Sequence, residues 1–117
     1  MTLPRLAQGD PRAGRFHHGR PLGYDLLAFV YVAWSKPETE KAFLKKVTAQ
    51  ASVMEIHHVT GIWNYMLKVR VRNTRMLEGL LARVIKSVGG VERTETIIVL
   101  SSLKETSQIP TRDPEWM

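Results

Sequence analysis

The sequence predicts an α+β protein: a ferredoxin-like βαββαβ sandwich in which two helices cover one face of a four-stranded antiparallel sheet. Two observations carry this prediction. Four segments have the apolar runs or the alternation of strands, and two other segments repeat apolar residues at helical spacing. The 117 residues suffice for one such domain and are too few for two.

The first strand is predicted at residues 26–34, where nine apolar residues follow one another. Such a run is typical of a central strand that is covered on both faces. Ser35 and Glu38 then have the spacing of a capping box, which predicts a helix over about residues 38–50. The residues of this helix that we expect to face the sheet are Ala42, Phe43 and Val47.

A second strand is predicted over residues 52–60, and Gly61 opens a turn into the third. The third strand alternates clearly between two faces. One face carries Leu67, Val69 and Val71, and the other carries Lys68, Arg70 and Arg72. We therefore expect the basic face to reach solvent or an acidic partner.

The second helix has the strongest pattern in the chain. Asn73 is a good N-cap, and Gly89-Gly90 closes a wide apolar stripe at helical spacing. Gly79 inside this helix costs about 1 kcal/mol relative to alanine, which suggests close packing against a neighbouring element. A last strand is predicted from Val91 to about Leu103.

The ends of the chain have a different composition. Prolines, glycines and arginines without apolar periodicity predict an irregular basic arm over residues 1–21. Residues 22–110 form the predicted domain, and residues 111–117 a C-terminal tail that we expect to extend or to embrace a partner.

The first and last strands are apolar on both faces, but two helices cover only one face of the sheet. The second face requires another sheet, most simply that of a second copy, so the sequence predicts an obligate homodimer.

Composition narrows the classes further. A net charge of +6 favours acidic partners, and the lack of cysteine excludes disulfides, thiolate metal sites and a cysteine nucleophile. The longest apolar run is about half of a membrane helix, and the N-terminus lacks the apolar stretch of a signal peptide. We expect a cytoplasmic protein without a membrane partner.

Three motifs resemble the Lrp/AsnC (feast/famine) transcription regulators. Residues 58–72, HVTGIWNYMLKVRVR, are similar to that family's V-T-G-D-Y-D-Y-L-L-K-V segment. Residues 91–106 are similar to its last strand, G-V-x-x-T-x-T-x-I-V-L-S-x-x-K, and residues 22–30 to the entry into its effector domain. The match spans residues 22–110, the C-terminal effector (RAM) domain.

The resemblance implies a non-catalytic sensing domain that dimerises through its sheets and assembles dimers into larger rings, such as octamers. It also implies an amino-acid effector bound between dimers, and no cofactor. The ligand-binding residues that it implies are Gly61, Ile62, Trp63, Asn64, Thr94 and Thr96.

Two departures from the family pattern are informative. Ile62 and Asn64 stand where the pattern has aspartates, so the carboxylate for an α-ammonium group is missing or neutral. Losing such a charge-assisted bond costs about 1.5–3 kcal/mol. The effector is therefore not a plain amino acid, or the pocket is vestigial. Replacing Asn64 by Asp is expected to strengthen amino-acid binding.

The second departure is that only about 22 residues precede the effector domain, too few for the family's helix-turn-helix domain. The chain is then a stand-alone effector domain or a piece of a longer regulator. DNA is an indirect partner, reached through such a domain or through full-length regulators.

Other functions fit the residues less well. His57 and His58, adjacent on a strand, point to opposite faces and cannot share a metal, and His17-His18 lie in the arm. No G-x-S-x-G motif surrounds Ser101 and Ser102. The alternative that stays open is a dimeric α+β barrel monooxygenase, which uses the same βαββαβ order. Its pocket residue types are supplied here by Asn64, Trp63, Tyr65 and His58.

Overall fold

The computed structural model describes residues 23–117, so the predicted arm at residues 1–21, with His17 and His18, lies outside the described residues. The elements are β1 (Leu26–Ala33), α1 (Thr39–Thr48), β2 (Val53–His58), β3 (Tyr65–Val71), α2 (Thr74–Leu80) and β4 (Arg93–Ile98). A π-helical segment, Leu81–Ile85, directly continues α2. The predicted βαββαβ order is confirmed.

The four strands form one antiparallel sheet in the order β2-β3-β1-β4. Val30 at the middle of β1 lies opposite Leu67 of β3 and Thr96 of β4. Because directly paired residues share a face, this register assigns the paired strand residues to the helix-covered face or to the open face, with one irregularity in β2 between Val53 and Glu55.

The core lies between the helices and the sheet. The alternation predicted for β3 is confirmed, since Leu67, Val69 and Val71 are fully buried on the helix-covered face. Phe43 and Val47 of α1 are also fully buried, but Ala42 is exposed, so the prediction for Ala42 is wrong. Phe43 and Val47 are one turn apart and share the inward face, while Ala42 is rotated toward solvent.

The two helices begin differently. The N-cap of α2 is Asn73, as predicted, and its Oδ1 accepts a hydrogen bond from the Met76 N–H at 2.8 Å. The predicted capping box of α1 is wrong. Glu38 occupies the N-cap position without a side-chain bond, and the Ser35 hydroxyl instead donates to Glu92 Oε2 at 2.6 Å. Ser35 thus ties the entry of α1 to the segment before β4.

Gly79 and Gly90, in and after the second helical segment, have different surroundings. A Cβ on Gly79 would meet no atom within 4 Å, so the predicted close packing at Gly79 is wrong. Gly90 does require glycine, because its φ is +101° and a Cβ there would overlap the Thr39 side chain.

The last strand is shorter than predicted, ending at Ile98 and not near Leu103. Its neighbour β1 begins at Leu26, and the final contact is the Val99 N–H donating to the Leu27 carbonyl at 2.9 Å. In the described part of the chain, residues 100–117 form no strand. The segment is held instead by Arg70 Nη2, which donates to Glu105 Oε2 at 2.7 Å.

The open face of the sheet carries the predicted basic residues, and their acidic partners come from the same chain. Lys68 lies 3.6 Å from Glu55, and Arg70 binds Glu105. A hydrogen bond from His57, assisted by the charges of Lys68 and His57, lowers the pKa of Glu55 against the opposing effect of burial. Between these charges lie half-buried apolar side chains, such as Phe29, and the 46% exposed Ile97.

Within residues 23–117, neither helix has the length and apolar character needed to cross a membrane.

Candidate functional site

The turn between β2 and β3 is fixed to the end of β1 by Asn64. Its side-chain Oδ1 accepts from the Trp34 N–H at 2.7 Å, and its backbone N–H donates to the Val32 carbonyl at 2.8 Å. Its own carbonyl accepts from Val59 N–H at 3.1 Å, which closes the turn. The amide oxygen of Asn64 is therefore engaged with the backbone, and the residue positions the turn.

Gly61 gives this turn its shape. Its φ of +100° lies in the region that favours glycine, and a Cβ there would meet no atom within 4 Å. The backbone at Gly61 is exposed, and so is the neighbouring Ile62 side chain, at 69%. A ligand can approach the peptide groups of this turn closely.

Trp63 and Arg93 form an aromatic and cationic surface beside the turn. The Trp63 ring lies 5.8 Å from the Tyr31 ring, and the Arg93 guanidinium lies 5.1 Å from the Trp63 centroid. Arg93 Nη2 also donates to the Ile62 carbonyl at 3.0 Å. Since Tyr31 and Arg93 belong to the open face by register, this surface is continuous with that face.

Thr94 and Thr96 lie on the other face of the sheet. They pair with Val32 and Val30, which are fully buried beneath the helices. Within one chain the structure thus brings Gly61, Ile62, Trp63 and Asn64 together in the turn but places the two threonines on the opposite face. Thr94 shares the end of the sheet with the turn, and Thr96 lies two residues further along β4.

Sequence reasoning missed Arg93 as a member of this site. It is separated from Ile62 by 31 positions, and the two meet only because β4 starts beside the end of β1. The available signal was topological. In a ferredoxin-like sandwich of the predicted βαββαβ order, the first residue of β4 and the β2–β3 turn share one end of the sheet.

A second aromatic cluster lies on the helix-covered face at the same end. The Tyr65 hydroxyl donates to Glu40 Oε2 at 2.6 Å, and this bond, together with burial, raises the pKa of Tyr65 to about 12. The His58 ring stacks on Tyr65 with centroids 4.8 Å apart, and Trp34 stacks at 5.6 Å. The phenol is therefore held in its protonated form chiefly by the hydrogen bond to Glu40.

The residue types expected for a monooxygenase pocket do not converge. Tyr65 and His58 lie on the helix-covered face, Trp63 packs against Tyr31 of the open face, and the Asn64 amide oxygen binds backbone. The space between helices and sheet, where such an enzyme binds its substrate, is filled here by fully buried side chains, including Phe43 and Ile85.

The histidines behave as strand geometry predicts. His57 Nε2 lies 2.8 Å from Glu55 Oε1 on the open face, whereas His58 stacks on Tyr65 on the other side. No group of three or more metal-ligating side chains occurs in the part of the chain that the structure describes.

Comparisons of the sequence and of the structure with known proteins find the same family. The family model of the Lrp/AsnC ligand binding domain matches residues 27–109. The HTH-type transcriptional regulator FL11 of Pyrococcus abyssi is 35% identical over 89 residues, which are 76% of this chain and 58% of the regulator. The chain therefore spans under three fifths of the length of this curated relative.

Solved structures show the same fold. Escherichia coli AsnC aligns with a TM-score of 0.71 at 24% identity, covering 84% of this chain and 68% of AsnC. A feast or famine regulatory protein from M. tuberculosis, complexed with L-methionine, aligns with a TM-score of 0.67 at 30% identity, covering 82% of this chain and 65% of that protein.

Fold and relatives together define an effector-sensing regulatory domain. The chain belongs to the Lrp/AsnC family, and the matched part is that family's ligand-binding domain.

Proposed function

We propose that this domain senses a small carboxylate-bearing effector of the amino-acid class at the β2–β3 turn. One observation carries the proposal: the Trp63 ring contacts both the Tyr31 ring and the Arg93 guanidinium beside the exposed Gly61. The M. tuberculosis relative at 30% identity is complexed with L-methionine, which supports an amino-acid-like ligand.

The chemistry of the turn favours the carboxylate end of such a ligand. The Trp63 ring offers a flat apolar surface for a side chain, and the Arg93 guanidinium attracts a carboxylate. Ile62 and Asn64 supply no negative charge for an ammonium group. A keto acid therefore fits the turn as well as an amino acid does.

We also propose that the effector binds between copies of the chain. Thr94 and Thr96 lie on the opposite face from Trp63, so a ligand that contacts both groups needs turn residues from one copy and threonines from another. Binding would then shift the packing between dimers by its differential affinity for the two assemblies.

The proposal also concerns the assembly, the absence of catalysis, the cellular location and the partnership with DNA. Two copies pair through their open faces to form a homodimer, and dimers assemble further, for example into an octamer. The protein has no catalytic role of its own and acts in the cytoplasm. It reaches DNA indirectly, through full-length regulators or through a helix-turn-helix domain.

A thermal-shift screen of the full chain against the twenty amino acids and a set of keto acids tests the ligand class. A ligand at a hundred times its dissociation constant adds about 2.7 kcal/mol to stability. We expect a selective hit for wild type and for Lys45→Ala, which changes an exposed residue on α1, and loss of that hit in Trp63→Ala. A hit that survives Trp63→Ala would contradict the proposed site, and the absence of any hit would contradict the ligand class.

A further inference from the structure

A groove of about 410 Å³ lies at the other end of the sheet from the β2–β3 turn. One wall is a stripe along α2 and its π-helical continuation, and the other is the connection between α1 and β2, including Ser52. The Ser52 carbonyl accepts from Arg70 N–H at the start of β2, whereas the turn follows the end of β2. The groove is therefore separate from the proposed effector site.

Two features of the helix beside this groove suggest that the groove has a function. Gly79 lines the groove, and a glycine inside a helix costs about 1 kcal/mol relative to alanine although no neighbour here requires it. The helix also changes to π geometry at Leu81–Ile85, within one turn of Gly79. Single π turns inside α-helices occur frequently at functional sites.

The lining of the groove combines an apolar floor with a basic rim. Met76, Leu80 and Val84 line the floor, and Arg75 and Arg83 flank it two helical turns apart. The lining residues include no acid. This chemistry fits a segment that carries carboxylates beside a large apolar side chain.

The chain itself contains such a segment. Residues 109–117, IPTRDPEWM, carry Asp113 and Glu115 against the single cation Arg112. Trp116 is 85% exposed, and Ile109 and Met117 are also exposed. Large apolar side chains that are exposed together mark an interaction site.

Glu105, from which the chain leads to residues 109–117, and the groove of the same copy lie on different faces of the sheet. Glu105 fixes the beginning of the tail to Arg70 on the open face, whereas α2 lies on the covered face. The eleven residue spacings from Glu105 to Trp116 span up to about 36 Å when extended, enough to reach a neighbouring molecule.

We propose that residues 109–117 of one copy dock in the α2 groove of a second copy. Trp116 packs on the apolar floor, and the carboxylates of Asp113 and Glu115 face the two rim arginines. This contact is independent of the effector and of pairing through the open face, and it gives the assembly a second interface.

Disulfide trapping between two single-cysteine variants tests the proposal, because the full chain has no cysteine of its own. Gly79→Cys is mixed with Met117→Cys under mild oxidation, without any effector. The cysteine at position 79 has room, since an added Cβ meets no atom within 4 Å. Lys41→Cys, on the exposed side of α1, replaces Gly79→Cys as the matched control.

We expect the Gly79/Met117 pair to form a mixed disulfide several times faster than the Lys41/Met117 pair. Adding Arg83→Glu to the groove variant slows trapping by about threefold, in the range of an exposed charge pair, and adding Glu115→Arg to the tail variant restores the rate.

Equal rates for the two pairs would overturn the proposal, as would a rate that does not respond to Arg83→Glu. A chain carrying both Gly79→Cys and Met117→Cys that closes only within itself would overturn docking to a second copy. Since no effector is present, these results are separate from the outcome of the thermal-shift screen.

Discussion

The family resemblance implies that Asn64 binds a ligand, but in the folded chain its side chain hydrogen-bonds to the backbone of Trp34. Its Oδ1 accepts the Trp34 N–H at 2.7 Å, across 30 positions of sequence. The bond to Trp34 could not be predicted from the sequence, because it depends on how β1 ends beside the β2–β3 turn. An aspartate at this position keeps an acceptor oxygen and adds a charge.

Asn64→Ala should therefore destabilise the protein, whereas Asn64→Asp should not. The alanine leaves the half-buried Trp34 N–H without its acceptor, which costs about 1–3 kcal/mol. The aspartate retains the bond and is expected to strengthen the binding of an amino acid through its ammonium group. Chemical denaturation checks the stabilities and calorimetric titration the affinity. Equal stabilities of the alanine variant and wild type would contradict this role.

Tyr65 makes the stability depend on pH in the alkaline range. Its pKa is raised from 10.0 to about 12 by the bond to Glu40, so the phenol keeps its proton in the folded state after the unfolded chain has lost it. The unfolded state then binds fewer protons, and the free energy of unfolding falls as the pH rises from 10 to 12.

The stability difference between wild type and Tyr65→Phe should consequently narrow over that range and stay constant below pH 9. Urea denaturation at each pH measures it. A difference that is the same at pH 8 and at pH 12 would show that Glu40 does not hold the proton of Tyr65.

At the scale of elements, the sequence predicted well which helices and strands exist and in what order they follow. It predicted poorly the residues at which they begin and end. Periodicity reports which residues are buried, so the stripe of α2 and the alternation of β3 were predictable. The end of β4 depends on where β1 starts, and the start of α1 depends on Ser35 bonding to Glu92 rather than to its own helix. Such partners are distant in sequence and leave no local signal.

The segment that follows β4 is joined to the sheet by the charge pair of Arg70 and Glu105. The side chain of Arg70 is only 9% exposed, and Glu105 Oε2 accepts a hydrogen bond from its Nη2 at 2.7 Å. Glu105→Ala should lower the free energy of unfolding by about 1–2 kcal/mol, since it leaves a buried guanidinium without its acceptor. It should also speed amide exchange over residues 99–105.

Lys104→Ala, which changes the exposed neighbour, is the control and should change neither quantity. Hydrogen exchange followed by mass spectrometry compares the two variants. If exchange over residues 99–105 were equally slow in Glu105→Ala, the charge pair would not be what holds this segment.

At the scale of the whole molecule, the open face of the sheet is a partly apolar surface that no helix of the same chain covers. Helices that cover only one face were predictable from the element order, and so was the apolar character of the face left open. Its partner was not, since a single sequence shows which side chains are apolar but not what they pack against.

Phe29 lies near the centre of this face, between Lys68 and Ile97. Phe29→Glu should convert the predicted dimer into a monomer, because a carboxylate buried between two sheets is strongly unfavourable. Lys45→Glu adds a carboxylate on the exposed side of α1 and should leave the dimer intact. Light scattering gives both masses, and a wild-type chain that is monomeric in dilute solution would contradict pairing through the sheet.

We propose that the β2–β3 turn binds a carboxylate-bearing effector, and this binding can be observed residue by residue. Amide chemical shifts of the full chain, recorded by NMR while L-methionine or the best ligand of the screen is added, test it directly. We expect saturable shifts of the amide signals, concentrated at residues 59–64 and 93–96. Shifts confined to the residues between the helices and the sheet, or no shifts at millimolar ligand, would contradict it.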